Sequence, residues 1–132
     1  MTKSELIEIA KNDVSIDKHD LVKASIETPM LLHKYLDLKL KNEKSLIIQQ
    51  KEYNQLKYDK LTFYRTEHKI IPETANEMKM LLEGDSELSQ KMSEIQQKES
   101  IIRFIDEIIK TLRERVWTIK NINEFLKLQS GA

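Results

Sequence analysis

Aromatic and basic residues alternate over a short stretch in the middle of the chain. Half of the eight aromatic residues lie there, interleaved with three cations: Tyr53, Lys57, Tyr58, Lys60, Phe63, Tyr64 and Arg65. On an α-helix, residues four, seven and eleven positions apart share one narrow stripe, which here holds Tyr53, Lys57, Lys60 and Tyr64. Rings that stack on bases, beside cations that pair with phosphates, are what a sequence-tolerant binder of single strands requires. The structural alternative is that the tyrosines are core residues and the lysines extend around them.

The charge distribution indicates the same segment as a contact for nucleic acid. The chain of 132 residues has no net charge, so its overall field does not indicate a partner. Residues 33–69, however, carry nine Lys and Arg against five Asp and Glu, whereas residues 70–110 carry five against nine. Because the positive segment is also the aromatic one, the pattern indicates a role with nucleic acid.

The sequence offers no convincing catalytic or metal-binding constellation. The three histidines are scattered, and the acidic residues around His19 are more simply those of a helix N-terminus. A phosphate-binding glycine loop and a nucleophile elbow are both missing. The chain also lacks cysteine, which suits a reducing cytoplasm. We therefore expect no enzymatic activity, no metal and no cofactor.

Few helix breakers interrupt the chain, so its elements must be few and long. It has only two glycines and two prolines, while one third of its residues are charged. We predict an all-α fold in a single helical domain over residues 1–132, with two long helices plus short N-terminal and connecting helices. No apolar run approaches membrane-spanning length, and the first ten residues do not form a signal peptide. We expect a soluble protein without membrane contact.

Capping signals set the expected boundaries. Residues 1–28 should form short helices, the first over about residues 3–11 with a capping box of Thr2 and Glu5, and the second capped by Asp17. A proline at the first helical position should then open a helix over residues 29–67, which carries the aromatic cluster.

The second half should hold two more helices. A connector is expected over residues 68–72, followed by a short helix over residues 73–83 and a glycine that ends it. Asp85 or Ser86 should cap a last helix over residues 86–128.

That last helix has an apolar face too wide for a two-stranded coiled coil. Its heptad positions a and d include Ile102, Ile105, Ile109, Leu112, Val116, Ile119 and Leu126, and a neighbouring isoleucine row widens the face. Isoleucine at a and d favours more than two strands. We expect these residues to assemble a homo-oligomer. The alternative is a bundle within one chain, in which this face packs only on residues 29–67.

A second basic and aromatic group surrounds Trp117. It is flanked by Arg113, Arg115 and Lys120. A packing role is favoured for this tryptophan, and Arg115 should line an interior or an interface and pair with Glu114 or Glu124. In a ring of subunits, Arg113 and Lys120 would recur around an axis, where they could hold a phosphate backbone.

The order of four short segments resembles the UvsY family of T4-type phage recombination mediators. They are residues 13–17 (Asp-Val-Ser-Ile-Asp), 34–36 (Lys-Tyr-Leu), 60–64 (Lys-Leu-Thr-Phe-Tyr) and 115–122 (Arg-Val-Trp-Thr-Ile-Lys-Asn-Ile). The resemblance implies a homo-oligomeric ring, a hexamer or heptamer, that binds single-stranded DNA. It also implies that the ring helps to load a RecA-like recombinase onto DNA covered by single-strand-binding protein.

The family associates a basic pair with DNA contact. Lys60 matches its second member, but Tyr58 stands at the first, with Lys57 next to it. Either Lys57 substitutes for the missing cation or Tyr58 contributes by stacking. The DNA-contacting residues we expect are Tyr53, Lys57, Tyr58, Lys60, Tyr64 and Arg65. The competing class is a structural or adaptor coiled-coil protein that binds only protein partners, which the zero net charge and the acidic residues 70–110 favour.

Overall fold

Four α-helices make up the part of the chain that the computed structural model describes, residues 2–67 and 71–131. They are α1 (Lys3–Val14), α2 (Leu21–Thr66), α3 (Ala75–Glu83) and α4 (Ser86–Gln129), and these residues contain no strand. The predicted all-α fold with two long helices is confirmed. The described residues contain two short helices and not three, because the expected second N-terminal helix is part of α2. None of the described helices is both long and apolar enough to cross a membrane.

The helices divide into two compact units. Unit 1 comprises residues 1–41 and 101–132, and unit 2 comprises residues 42–100. Both long helices therefore contribute to both units, and each unit has buried residues of its own.

Helix α1 begins as the sequence predicts and ends later. The backbone N–H of Glu5 donates to Thr2 Oγ1 at 3.2 Å, and the N–H of Thr2 donates to Glu5 Oε2 at 3.1 Å, which completes the capping box. The helix continues to Val14 instead of ending near residue 11. One reason is that Arg115 Nη1 donates to the Asp13 carbonyl at 2.7 Å, because the last carbonyls of a helix otherwise lack a partner.

The start of α2 corrects two of the predicted boundaries. Asp20, and not Asp17, caps the helix, since its Oδ1 accepts the backbone N–H of Lys23 at 3.0 Å, while Asp17 accepts that of His19 in the preceding turn. No new helix begins at Pro29, which lies inside α2.

The helix passes through Pro29 because its neighbours are fixed by burial. Proline cannot donate its backbone bond and usually interrupts a helix. Here Thr28 is buried and its hydroxyl donates to the Ala24 carbonyl at 2.7 Å, and Ala24 is itself buried. The turn before the proline is thus held on the inner side of unit 1, and the predicted boundary is wrong.

Unit 1 has a core built from α1, α2 and α4. Its buried members are Leu6, Ala10, Tyr35, Ile105, Ile108, Ile109 and Leu112. Tyr35, Ile105 and Leu112 have an exposed fraction of 0%. Burial of each such side chain contributes about 1.5–3 kcal/mol to folding.

Unit 2 is organised around the junction of α3 with α4. Thr74 caps α3 by accepting the backbone N–H of Glu77 at 3.1 Å, and Gly84 ends that helix as predicted. Helix α3 therefore begins at residue 75 and not at 73. Of the predicted connector, residues 71 and 72 lie outside helices, and residues 68–70 fall outside the described residues.

Candidate nucleic-acid interface

The four residues of the predicted aromatic and basic stripe on α2 differ in their exposure to solvent. Lys57 is exposed, whereas Tyr53, Lys60 and Tyr64 are only partly exposed. Tyr53 and Lys57 line a cavity of 270 Å³ together with side chains of α3, including Met78. Most of the stripe therefore faces other helices of unit 2.

Lys60 and Tyr64 are held by the residue that caps α4. Lys60 Nζ lies 3.3 Å from Asp85 Oδ2 and 3.3 Å from Glu87 Oε1, and Tyr64 Oη donates to Asp85 Oδ2 at 2.7 Å. The other oxygen of Asp85 accepts the backbone N–H groups of Glu87 at 3.0 Å and Leu88 at 3.1 Å. One buried carboxylate thus joins α2 to the first turn of α4.

These contacts change the acidity of all three groups. Burial raises the pKa of Asp85, but the hydrogen bonds from Tyr64, Leu88 and Lys60 lower it more, and the result is below the ordinary value. The bond to Asp85, followed by burial, raises the pKa of Tyr64. Partial desolvation lowers the pKa of Lys60, and its two carboxylate partners more than offset this, so the net pKa is raised. Lys60 therefore stays protonated, and its positive charge is already paired with the carboxylates of Asp85 and Glu87.

Asp85→Ala should destabilise the protein by at least about 1 kcal/mol at pH 7, because it removes the cap of α4 and leaves Lys60 and Tyr64 without their shared acceptor. Urea denaturation followed by circular dichroism measures this free energy of unfolding. Since the pKa of Asp85 is lowered in the folded state, its stabilisation is present above the unfolded pKa of about 3.9 and is lost as the pH falls through the folded pKa. The two proteins should therefore converge in stability at acidic pH.

Glu87→Gln is the matched control for that experiment. It removes the more exposed carboxylate from Lys60 and leaves the helix cap intact, so its cost should stay below about 1 kcal/mol. Equal destabilisation by the two variants would contradict the role assigned to Asp85.

A different row of α2 is open to solvent. Lys51, Tyr58 and Arg65 are spaced by seven residues, which places them on one face of the helix. All three are exposed, and 65% of Tyr58 is accessible. We call these residues the outer row. Tyr58 and Arg65 were expected contacts, whereas Lys51 was missed, although a spacing of seven from Tyr58 would have found it.

The outer row is not neutralised by nearby acids. Among residues 2–67 and 71–131, the side chains of its three members form no ion pair or hydrogen bond, and neither does the exposed Lys57 beside Tyr58. The neighbouring acids on α2 are engaged elsewhere: Lys91 Nζ donates to Glu52 at 3.5 Å, and Gln55 donates to Asp59 at 3.0 Å. The row therefore presents unmatched positive charge around an accessible ring.

The predicted oligomerisation face is largely used inside one protomer. Ile105, Ile109, Leu112 and Ile119 are buried in unit 1, and Ile102 is partly buried. Ile105, Ile109 and Leu112 share a core with residues of α1 and α2. The face is thus covered within one chain, but α1 contributes besides residues 29–67, which the predicted alternative gave as the sole cover. Val116 and Leu126 remain accessible, with exposed fractions of 60% and 42%.

A second exposed apolar surface lies at the start of α2. Val22, Ile26 and Met30 recur every four residues on one face, with exposed fractions of 72%, 64% and 69%. Unit 1 thus carries two unlike apolar surfaces, one on α2 and one on α4. The first was not among the predicted surfaces, because a helix break predicted at residue 29 separates Met30 from Val22 and Ile26.

Arg115 occupies an interior position, which was one of the two predicted. It is buried, and its bond is to the Asp13 carbonyl rather than to Glu114 or Glu124. Within the described ranges, no group of three or more His, Cys, Asp or Glu side chains is arranged to hold a metal ion.

The sequence matches a protein family over most of its length. The family model described as "Recombination, repair and ssDNA binding protein UvsY" matches residues 9–132. The chain belongs to the UvsY family. No curated protein sequence gives a significant match.

Solved structures of a UvsY protein have the same fold. Three crystal structures of the bacteriophage T4 recombination mediator protein UvsY superpose on the chain with TM-scores of 0.89, 0.88 and 0.86, at 22%, 20% and 20% identity. The alignments cover 98%, 98% and 95% of this chain and 99%, 98% and 98% of those chains. At such low identity the likeness establishes the shared architecture.

Three of the four UvsY-like segments meet in unit 1. Asp13 Oδ2 accepts hydrogen bonds from Lys34 Nζ at 2.8 Å and Tyr35 Oη at 2.6 Å, and Arg115 donates to its carbonyl. Burial raises the pKa of Asp13, but the bonds from Lys34 and Tyr35 bring it below the ordinary value, while burial and the bond to Asp13 raise the pKa of Tyr35. These segments hold α1 against α2 and α4.

Proposed function

We propose that the chain is a recombination mediator that binds single-stranded DNA as a homo-oligomeric ring, a hexamer or heptamer. In the cytoplasm of the host cell, it would help to load a RecA-like recombinase onto DNA covered by single-strand-binding protein. Membership of the UvsY family supports the class of function. The observation that carries the DNA contact is the outer row, an accessible tyrosine between two unmatched cations.

Of the residues expected to contact DNA, some would touch the strand and the others pack α2 against its neighbours. Tyr58 stacks on a base, which is worth roughly 1–3 kcal/mol, while Lys51, Lys57 and Arg65 pair with phosphates. Tyr53, Lys60 and Tyr64 belong to the same helix and fix its packing on α3 and α4. Tyr58 therefore contributes stacking at the first position of the family's basic pair, and Lys57 supplies the cation.

Self-association would turn a weak contact into a strong one. One subunit offers a single stacking ring and three cations, whereas several copies joined in a ring raise the affinity by effective concentration. The two apolar surfaces of unit 1 support such an assembly. Since they differ from each other, a contact between one and the other is head-to-tail, and such contacts form a ring when the rotation between subunits closes and an open filament when it does not.

Membership of the UvsY family, and not the residues of this chain, supports the proposed loading of a recombinase. A ring that binds DNA through several subunits at once would wrap or kink the strand between them. Such deformation would help to displace the single-strand-binding protein and to seed a recombinase filament.

Binding to labelled poly-dT should depend steeply on salt. Three phosphates neutralised per subunit give a slope of about −2 in log K against log salt, at roughly −0.7 per phosphate, and more subunits steepen it. Fluorescence anisotropy over a series of salt concentrations measures the slope. Absence of salt-dependent binding at micromolar protein would contradict the proposal and favour an adaptor that binds only proteins.

A further inference from the structure

Helix α4 carries an exposed tryptophan with a cation over its ring. Trp117 has an exposed fraction of 65%, and Lys120 Nζ lies 5.2 Å from the centroid of its ring. Lys110 and Arg113 precede Trp117 by seven and four residues, which places both on its side of the helix. Both are exposed. The packing role favoured from the sequence does not fit a tryptophan that is mostly open to solvent.

We propose that this group is a second contact for single-stranded nucleic acid, located in unit 1. Trp117 stacks on an unpaired base, while Lys110, Arg113 and Lys120 pair with the flanking phosphates. This inference rests on the proposed function, because it assigns a further surface to the same ligand. It differs from the outer row in location, since that row belongs to unit 2.

A groove beside the ring supports the assignment. It has a volume of 490 Å³ and is lined by Trp117, Arg113 and Lys110 of α4 and by Leu36 and Lys39 of α2, among others. A base lying against the ring would therefore sit in a concave groove that also contains the apolar side chain of Leu36, and the phosphates would lie close to Lys110 and Arg113.

The charge balance of the groove is positive. Its two acids are Asp106 and Glu114, and Asp106 is held by Lys39 Nζ at 2.6 Å. Within the described part of the chain, the side chains of Lys110, Arg113 and Lys120 form no ion pair. The groove lining thus holds three cations, Lys39, Lys110 and Arg113, against two carboxylates, one of which is paired with Lys39.

The lysines of this group favour a ligand with phosphates over a protein partner. The centres of protein interfaces are enriched in tryptophan and arginine but depleted of lysine, whereas Lys110 and Lys120 both lie on the same side of α4 as Trp117. Lys120, with its Nζ 5.2 Å from the ring centroid, would place a cation for phosphate next to a stacked base. Stacking of this kind requires unpaired bases, which excludes duplex DNA as the preferred ligand.

Trp117 is the only tryptophan, so its fluorescence reports on this site alone. Titration of the full-length protein with a dT oligonucleotide at low salt should quench the fluorescence, with the same midpoint as fluorescence anisotropy. Trp117→Leu should weaken binding by about tenfold, as expected for the loss of one stacked base, while Trp117→Phe should keep most of the affinity. The matched control is Phe125→Leu, which changes another exposed aromatic residue of α4 and should leave the affinity unchanged.

The other outcomes would each overturn the second contact. Binding by anisotropy without quenching, or with equal affinity for Trp117→Leu, would overturn the second contact and leave the proposed function standing. Fluorescence that changes on dilution of the protein without DNA would assign Trp117 to a contact between subunits and overturn the proposal. If the wild-type protein does not bind the oligonucleotide by anisotropy, both the proposed function and this inference fail.

Discussion

A variant with Lys51→Gln, Tyr58→Leu and Arg65→Gln should bind a dT oligonucleotide at least about 100-fold more weakly than the wild-type protein. The change removes one stacked base, worth roughly 1–3 kcal/mol, and two phosphate contacts per subunit, and the loss is repeated in every subunit that touches the strand. The three side chains are exposed and unpaired within the described residues, so the melting temperature should not change. Fluorescence anisotropy measures the affinity, and its salt dependence should become shallower.

The control for this experiment removes two positive charges from unit 1 instead of unit 2. Lys11→Gln with Lys18→Gln deletes two exposed cations of unit 1, so the net charge of the protein changes as much as in the outer-row variant. If that control lost as much affinity, the binding would depend on total charge and not on the outer row. Full affinity of the outer-row variant would exclude these residues from the interface.

Val116→Asp with Leu126→Asp should dissociate the assembly and lower the affinity for single-stranded DNA by about 100-fold or more. Two carboxylates on an apolar contact would have to be buried without partners, which disfavours association. Once the subunits separate, the gain from effective concentration is lost, and that gain is on the order of 10² to 10⁴. Sedimentation velocity measures the size of the assembly, and anisotropy on the same samples measures binding.

The choice of positions matters for that test. Ile105 and Leu112 belong to the same heptad rows but have no exposed surface, so an aspartate there would unfold unit 1 and not separate subunits. Leu128→Asp is the suitable control, because Leu128 is also exposed on α4 but lies on the opposite side of the helix from Leu126. A wild-type protein that sediments as a monomer would contradict the ring outright.

Local signals predicted helix starts well where the deciding residues are close in sequence. The sequence predicts the capping box at Thr2, and it predicts a cap of α4 at Asp85 or Ser86, of which Asp85 is the cap observed; both caps act on residues three or fewer positions away. Thr28 followed by Pro29 has two meanings, since the pair can open a helix or be tolerated inside one. The burial of Thr28 and Ala24 in the folded protein decides between them, and a local sequence pattern does not contain that information.

The candidate site was limited by the same lack of long-range information. Periodicity correctly grouped Lys60 and Tyr64 on one face of α2, but it could not reveal that Asp85, 21 residues beyond Tyr64, would bind both. Likewise, α1 could not be foreseen as the cover for Ile105 and Leu112. The sequence identified the helix that carries the outer row, and only the packing of unit 2 separates its inner face from its outer one.

The dependence of DNA binding on assembly is tested by sedimentation velocity of a fluorescently labelled dT oligonucleotide with wild-type protein and with the Val116→Asp, Leu126→Asp variant. We expect the label to sediment with several subunits of wild-type protein and to stay unbound with the variant at the same concentration. Equal binding of the label by a single subunit of the variant would contradict this dependence.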